Sequence, residues 1–423
     1  MTTTYPEVLA RLFAARRAGV VLGLDRVATV LARMGHPERR LGTVVHIGGT
    51  NGKGSTAAMV AAVARAAGRR VALYSSPHLA SLRERFVVDG APAGEAAVVA
   101  AADAVAAAGG DALTFFEQVT AIGLALFADA EVDVTVLEVG LGGRLDATNV
   151  VAAPIAAVTG VALDHQDILG PDLATIAGEK AGIFKPGQRV VIGASGEPAA
   201  VPRLRDAALA VGAAAVRTVD DADVATAPAT ALLGDHQRAN AACADAIVDQ
   251  LEVVGALLAP PEVRARGYAA VEHPGRLEIV DHTPTVLLDG AHNPHAARAV
   301  ARFLAGRAER PRVLVLAVSA DKDVDGMVGA LAPAVDAVIA TRYDQPRALA
   351  PAVLAGRVRA AGAPVEEAAS IAEAIARARL AAGEGGLVAV AGSLYAVGEA
   401  RPAFRTMAID PIAVSDPAAV VRT

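Results

Sequence analysis

Short runs of Val, Ile and Leu alternate along this chain with alanine-rich stretches of helical length. That is the pattern of βαβ units, in which parallel strands are covered on both faces and joined by helices. It predicts strands over residues 43–47, 70–74, 133–139, 155–159 and 189–192, and helices over 57–67 and 236–254. A mixed stretch through Pro260, Pro261 and Pro274 breaks the alternation, which resumes with strands at 286–288, 313–318, 337–341 and 387–390. The expected architecture is α/β throughout: a mostly parallel, doubly wound domain over residues 1–273 and a smaller one over 274–423.

Ligands of open α/β sheets gather beyond the carboxyl ends of the strands. The segments that follow the expected strands read GGTNGKGST, SSPH, EVGLGGRLD, ALDHQD, DGAHN, SADKD and GSLY. Seven polar, glycine-rich loops of this kind imply one extended site served by both domains.

The first of them, Gly48 to Thr56, joins a strand to a helix. Glycines there let backbone N–H groups approach a polyphosphate, the helix start favours negative charge, and Lys53 adds a point charge. The strict phosphate-loop spacing is not met, because Ile47 stands where its first Gly belongs and Gly54 separates Lys53 from Ser55. A glycine-rich turn with an exposed lysine is the plainer alternative. Glu138 closes an apolar strand, where a carboxylate suits Mg²⁺ beside substrate phosphates, or simply caps or pairs. His165, in the next loop, is read equally as a metal ligand or a loop hydrogen-bonder. Asp289 closes a strand of the second domain, a place from which acids take ribose hydroxyls, with a turn cap as the competing account. Lys180, in Glu179-Lys180-Ala181-Gly182, reads from its tetrapeptide alone as a solvated or ion-paired helix lysine.

Composition narrows the classes. With 54% hydrophobic and 20% charged residues over 423, the chain is globular, not disordered. Lys and Arg number 39 against 45 Asp and Glu, a net charge of −6, so no basic field exists to collect nucleic acid. The single cysteine, Cys243, excludes an intrachain disulfide framework and fits a reducing cytoplasm. The alanine-rich stretch 91–110 is interrupted by Glu95 and Asp103 well short of a membrane span, and residues 1–19 lack a leader pattern. A soluble, cytoplasmic protein without nucleic-acid or membrane partner is expected. No Gly-x-Ser-x-Gly elbow and no His-Glu-x-x-His occurs, which disfavours Ser, Cys or zinc hydrolysis. A nicotinamide oxidoreductase is disfavoured because the first glycine loop lacks G-x-G-x-x-G spacing.

Taken together the loops resemble the folylpolyglutamate synthase/dihydrofolate synthase family of the Mur ligase superfamily. The matching segments run from LGLDR at Leu22 through GTNGKGS, SSPHL, ERF, TFFE, LEVGLGGRLDATN, LDHQD, EKAGIFK, HQRAN, PGR and DGAHNP to GSLY at Gly392. The resemblance implies an N-terminal P-loop ATPase domain and a C-terminal Rossmann-like domain. It implies that Thr50, Asn51, Gly52, Lys53, Gly54 and Ser55 bind ATP phosphates, with Asn240, Arg276 and Asp289. It makes Ser76, Glu138 and His165 ligands of Mg²⁺, two ions being expected, and matches Lys180 to a lysine that the family carbamylates. The pterin-bearing substrate is expected against Val21, Leu22, Gly23, Leu24, Thr114, Phe115, Phe116, Glu117, Leu145, Asp146 and Ala147. His292, Lys322 and Ser393 are candidates for L-glutamate. Lys53, Lys180 and His165 are the expected catalytic groups. The implied reaction is ATP-dependent amide formation through an acyl phosphate, joining L-glutamate to dihydropteroate or a folate, in a monomer. Competing readings are a Mur-type ligase of peptidoglycan precursors and a binding protein gated by nucleotide.

Overall fold

A computed structural model describes residues 3–15 and 23–411. They fall into two compact units, one drawing on residues within Met1–Ala231, Gln237–Glu272 and Ile409–Thr423, the other on Leu232–His236 and His273–Ala408. Where the sequence suggests one crossing near residue 273, the chain crosses between units after residues 231, 236, 272 and 408.

The larger unit is built on eight strands: β1 (Thr43–Gly48), β2 (Val71–Tyr74), β3 (Phe86–Val88), β4 (Ala91–Pro92), β5 (Val134–Glu138), β6 (Ile155–Val158), β7 (Arg189–Ile192) and β8 (Ala215–Thr218). Their order is β4-β3-β2-β5-β1-β6-β7-β8. Only the β2–β3 and β3–β4 pairings are antiparallel. Every residue of β5 and β6 is buried, as strands covered by helices on both faces must be. One apolar cluster, with Leu9, Leu12, Tyr74, Phe86, Phe115 and Phe127, packs the helices Tyr5–Ala15 and Phe115–Asp129. A second, with Val158, Ile176, Phe184, Ile192 and Leu204, seats the helices Leu173–Ala181 and Val201–Ala210.

The smaller unit has β9 (Glu278–His282), β10 (Thr285–Leu288), β11 (Arg312–Leu316), β12 (Ala337–Ala340), β13 (Val365–Glu367) and β14 (Leu387–Ala391), in the order β13-β12-β11-β14-β10-β9. All its pairings are parallel except β9–β10. Leu287, Leu314, Leu316, Val328, Leu354 and Ala389 lie in its core.

All nine strands expected from sequence are present. The structure adds β3, β4, β8, β9 and β13, which lie at or next to sheet margins. Register sets the frame of the site: Ile47 pairs with Glu138, Tyr74 with Leu137 and Gly48 with Val158, so β2, β5, β1 and β6 end side by side. Among the described residues no helix is long and apolar enough to cross a membrane.

Candidate functional site: a phosphate loop and its neighbours

The helix after β1 starts earlier than periodicity suggests, at Lys53, and runs to Ala66. Its N-cap, Gly52, has φ +83° and offers no side-chain cap, leaving first-turn N–H groups to an external anion. A Cβ on Gly52 would stand 2.2 Å from Asn240 Oδ1, and one on Gly49 (φ +142°) 2.0 Å from Thr159 Oγ1. Only glycine fits either position. The loop is pinned from outside. Thr159 Oγ1 donates to Asn51 O (2.6 Å), Thr50 N to Gly160 O (2.9 Å), and Thr50 Oγ1 pairs with Ala162. Asn240, buried behind Gly52, accepts from Ser195 Oγ (2.6 Å) and donates to Gln237 Oε1 (2.8 Å), while Gln237 reaches Ser55. Lys53 Nζ folds back onto Thr50 O at 3.1 Å. Loop and brace together fix the turn in one shape, of a kind that can take a polyphosphate.

Of the other expected groups, Glu138, Ser76 and His165 lie on or beyond neighbouring strands, and Lys180 on the helix Leu173–Ala181. Glu138 ends β5 and is buried; Ser76, just beyond β2, donates its N–H to Glu138 Oε2 at 3.2 Å. His165 lies beyond β6 with φ +52°, its N–H on Asp164 Oδ1 and its Nε2 3.8 Å from the same oxygen. Lys180 is no solvated lysine: it is buried and donates from Nζ to Gly49 O at 3.0 Å. Burial, then the charge of Lys53, pull its ammonium down to about 7. The ion pair expected nearby is instead Glu179 with Arg144, at 2.8 Å. Among the described residues no group of three or more His, Cys, Asp and Glu could hold a metal. A Mg²⁺ ion held by Glu138 and Ser76 would need further oxygen donors, which phosphate oxygens and a carbamate on Lys180 would supply.

Val21 and Leu22 lie outside the described residues; Gly23 and Leu24 are half-buried. Thr114 and Glu117 form a capping box on the helix Phe115–Asp129, and Arg26 donates to Glu117 Oε2 at 2.5 Å. Of the two phenylalanines, Phe115 is wholly buried in the core and has no face for a ligand. Phe116 is half-buried, its ring set edge-on to Tyr74 and so close to Gly140 that a Cβ there would meet it at 2.4 Å. Asp146 is buried and holds its own loop, accepting from Gly140 N (3.1 Å), Leu141 N (2.9 Å), Thr148 N (3.0 Å) and Thr148 Oγ1 (2.5 Å). Those bonds make it a brace for the half-buried Leu145 beside it, while Ala147 is buried.

In the smaller unit, Asp289, just beyond β10, is buried, accepting from Leu277 N and Ala291 N at 2.8 Å each. Burial raises its carboxyl above the ordinary aspartate value against the pull of Arg276. Arg276 lies beside Gly290, where a Cβ would come 2.5 Å from Nη1. His292 donates from Nδ1 to Gly290 O at 2.9 Å, and Ser393 caps the helix Leu394–Ala400. Sequence reading missed the braces Thr159, Ser195 and Gln237. Ser195 had a signal, since it follows β7 in Gly193-Ala194-Ser195-Gly196, one more loop at a strand's carboxyl end.

Residues 275–394 match the family described as Mur ligase, glutamate ligase domain. With the phosphate loop of the larger unit, they define an amide ligase of the Mur ligase family. The chain is 40% identical over 373 residues to the dihydrofolate synthase/folylpolyglutamate synthase of Mycobacterium tuberculosis, covering 77% of this chain and 75% of that protein. A Halobacterium salinarum relative, a probable bifunctional folylpolyglutamate synthase/dihydropteroate synthase, is 38% identical over 94% of this chain, which spans about half its length (51%). The bifunctional folylpolyglutamate synthase/dihydrofolate synthase of Yersinia pestis, solved with AMPPNP and Mn ion, superposes with a TM-score of 0.85 at 32% identity, covering 95% of this chain and 98% of that one. The chain belongs to the dihydrofolate synthase/folylpolyglutamate synthase family.

Proposed function

We propose that the protein joins L-glutamate to 7,8-dihydropteroate with ATP, releasing dihydrofolate, ADP and phosphate, and that it adds further glutamates to folates. The observation that carries this reading is the braced glycine cradle with Lys53 at its helix start, flanked by Glu138, Ser76 and the buried Lys180 amine.

A carboxylate acylates an amine poorly because oxide is a poor leaving group. Transfer of the γ-phosphoryl group to the pteroate carboxylate gives an acyl phosphate, and the amine of glutamate displaces phosphate from it. This route needs no protein nucleophile, in keeping with the absence of a Ser or Cys elbow. It needs positive charge and alignment around the transferring group. Asn51 to Ser55 hold the phosphates through backbone N–H groups, Thr50 anchors the loop on Gly160 and Ala162, Lys53 supplies charge, and Asn240 keeps the loop in place from behind. Two Mg²⁺ ions, when bound, neutralise charge on the transferring phosphoryl group. Ser76, Glu138, His165 and a carbamate on Lys180 are the residues that would hold them. Gly23, Leu24, Thr114, Phe116 and Leu145 border the pterin-bearing substrate. In the ligase domain, Arg276 and Asp289 serve the nucleotide, and His292 and Ser393 the incoming glutamate. The enzyme acts as a cytoplasmic monomer on small molecules.

The test is phosphate release from ATP with dihydropteroate and with tetrahydrofolate in parallel. Release should require both a pterin-bearing acceptor and glutamate. Equal release with either omitted rejects the ligase reading and favours a nucleotide-gated binding protein.

A further inference from the structure

The motif-free residues after Tyr395 include one that closes on the site loop from 328 positions away in sequence. Asp410 is buried in the larger unit. Its Oδ1 accepts from Ser81 Oγ (2.9 Å) and Tyr5 Oη (3.0 Å), its Oδ2 from Leu82 N (2.7 Å), and its own N–H donates to Ala80 O (3.1 Å). Tyr5 stays a donor, because burial and then the Asp410 charge hold its phenol above the ordinary value.

The turn so gripped is continuous with the loop that carries Ser76. Glu84 accepts from Leu79 N (2.7 Å), Ala80 N (3.0 Å) and Ser81 N (2.9 Å), tying the far end of Ser75-Ser76-Pro77-His78-Leu79 to the turn. Ser75 N donates to Arg85 O (3.3 Å) and closes the near end. Asp410 is thus the outer brace of a closed loop whose inner edge, Ser76, lies on Glu138.

We infer that Asp410 is a positioning residue for metal binding, fixing Ser76 through the turn Ala80-Ser81-Leu82. The inference rests on the reading of Ser76 as a metal ligand. Loss of an outer partner of a ligand commonly weakens a metal site by about 10 to 100-fold.

The test is a Mn²⁺ titration of the full chain with AMPPNP, followed by the EPR signal of free Mn²⁺, beside thermal unfolding. Asp410→Asn should weaken Mn²⁺ binding roughly tenfold, the low end for outer partners. It should raise the Mg²⁺ needed for turnover while leaving kcat at saturating Mg²⁺ unchanged. Ser81→Ala, which removes one of the bonds, should move both readouts the same way by less, and it carries the test if Asp410→Asn does not fold. Because Asp410 acts through Ser76, the double variant with Ser76→Ala should bind Mn²⁺ no more weakly than Ser76→Ala alone. A lower unfolding temperature with parental Mn²⁺ affinity, or losses that multiply in the double variant, overturns the proposal. Parental affinity in Ser76→Ala removes the ligand reading itself, whereas a weakened Ser76→Ala beside a parental Asp410→Asn removes only the brace.

Discussion

An ammonium and a neutral amine are different objects beside a polyphosphate, and Lys180 is poised between them because its proton is held only to about pH 7. The neutral nitrogen can attack the carbon of CO₂; an N–C bond forms as one C–O π bond opens, one proton leaves to solvent, and the product is a carbamate with one negative charge shared by two oxygens. Lys180→Ala is expected to lower turnover by roughly 10²- to 10³-fold, the scale for losing one electrostatic group at a transferring centre. Added formate or acetate should restore part of it, and full activity without additives would show that no carbamate is needed. Lys53→Ala removes the charge at the helix start and should abolish phosphate release. Gly52→Ala tests the cradle itself, since its methyl must displace Asn240 from a backbone at φ +83°. A shift of that kind costs about 100-fold in turnover, measured as phosphate release at saturating acceptors.

At the scale of elements, Asp146 shows how a loop is built from its ends. The buried carboxylate gathers N–H groups from both sides of residues 140–148 and is itself met by Thr148, whose Oγ1 lies 2.8 Å from His46 Nε2 on β1. Asp146→Ala strands several buried donors, and a loss of about 3 kcal/mol in urea unfolding is expected; a loss near zero would mean that the loop is held by something else. The same contrast between centre and margin explains what the chain made legible. β6 and β14 are buried throughout and read as unbroken apolar runs, and the central β1, β5, β10 and β11 are mostly apolar, with only one or two of Thr, His, Glu or Arg in each. β8 (Ala-Val-Arg-Thr) and β13 (Val-Glu-Glu) lie at sheet edges, half in water, and carry too few apolar residues for any run to register. The site followed the same logic. Loops beyond central strands announced themselves by glycine and charge, whereas Asn240, Thr159 and Asp410 hold those loops by contacts more than 100 residues long, which no local pattern encodes.

The molecule as a whole should be sensitive to acid in two separable ways. Each unit holds a neutral histidine, His46 fully buried in the larger and His273 half-buried in the smaller, and desolvation pulls both down to about 3. Between that value and the ordinary 6.5, the unfolded chain binds a proton that the fold refuses. Stability therefore falls as pH drops through this window, by about 1.4 kcal/mol per pH unit for each histidine, and is untouched by them above it. Asp146 and Asp289 work in the opposite sense, because their raised carboxyls take up protons in the fold before they would in the open chain. His236, also held below its ordinary value, adds to the histidine effect, so the total slope mixes opposing groups and a difference isolates one of them. His46→Gln should be less stable than the parent at pH 7.5, but its deficit should shrink by about 2 kcal/mol by pH 5 in urea titrations. Parallel stability curves would show that His46 is not held neutral. A loss of activity below pH 7 is expected from another origin, protonation of the Lys180 amine. That loss should be reversible on returning to pH 8, should be offset by added bicarbonate at fixed pH, and should appear unchanged in His46→Gln. If activity and unfolding instead shift together in His46→Gln, acid acts through the fold alone.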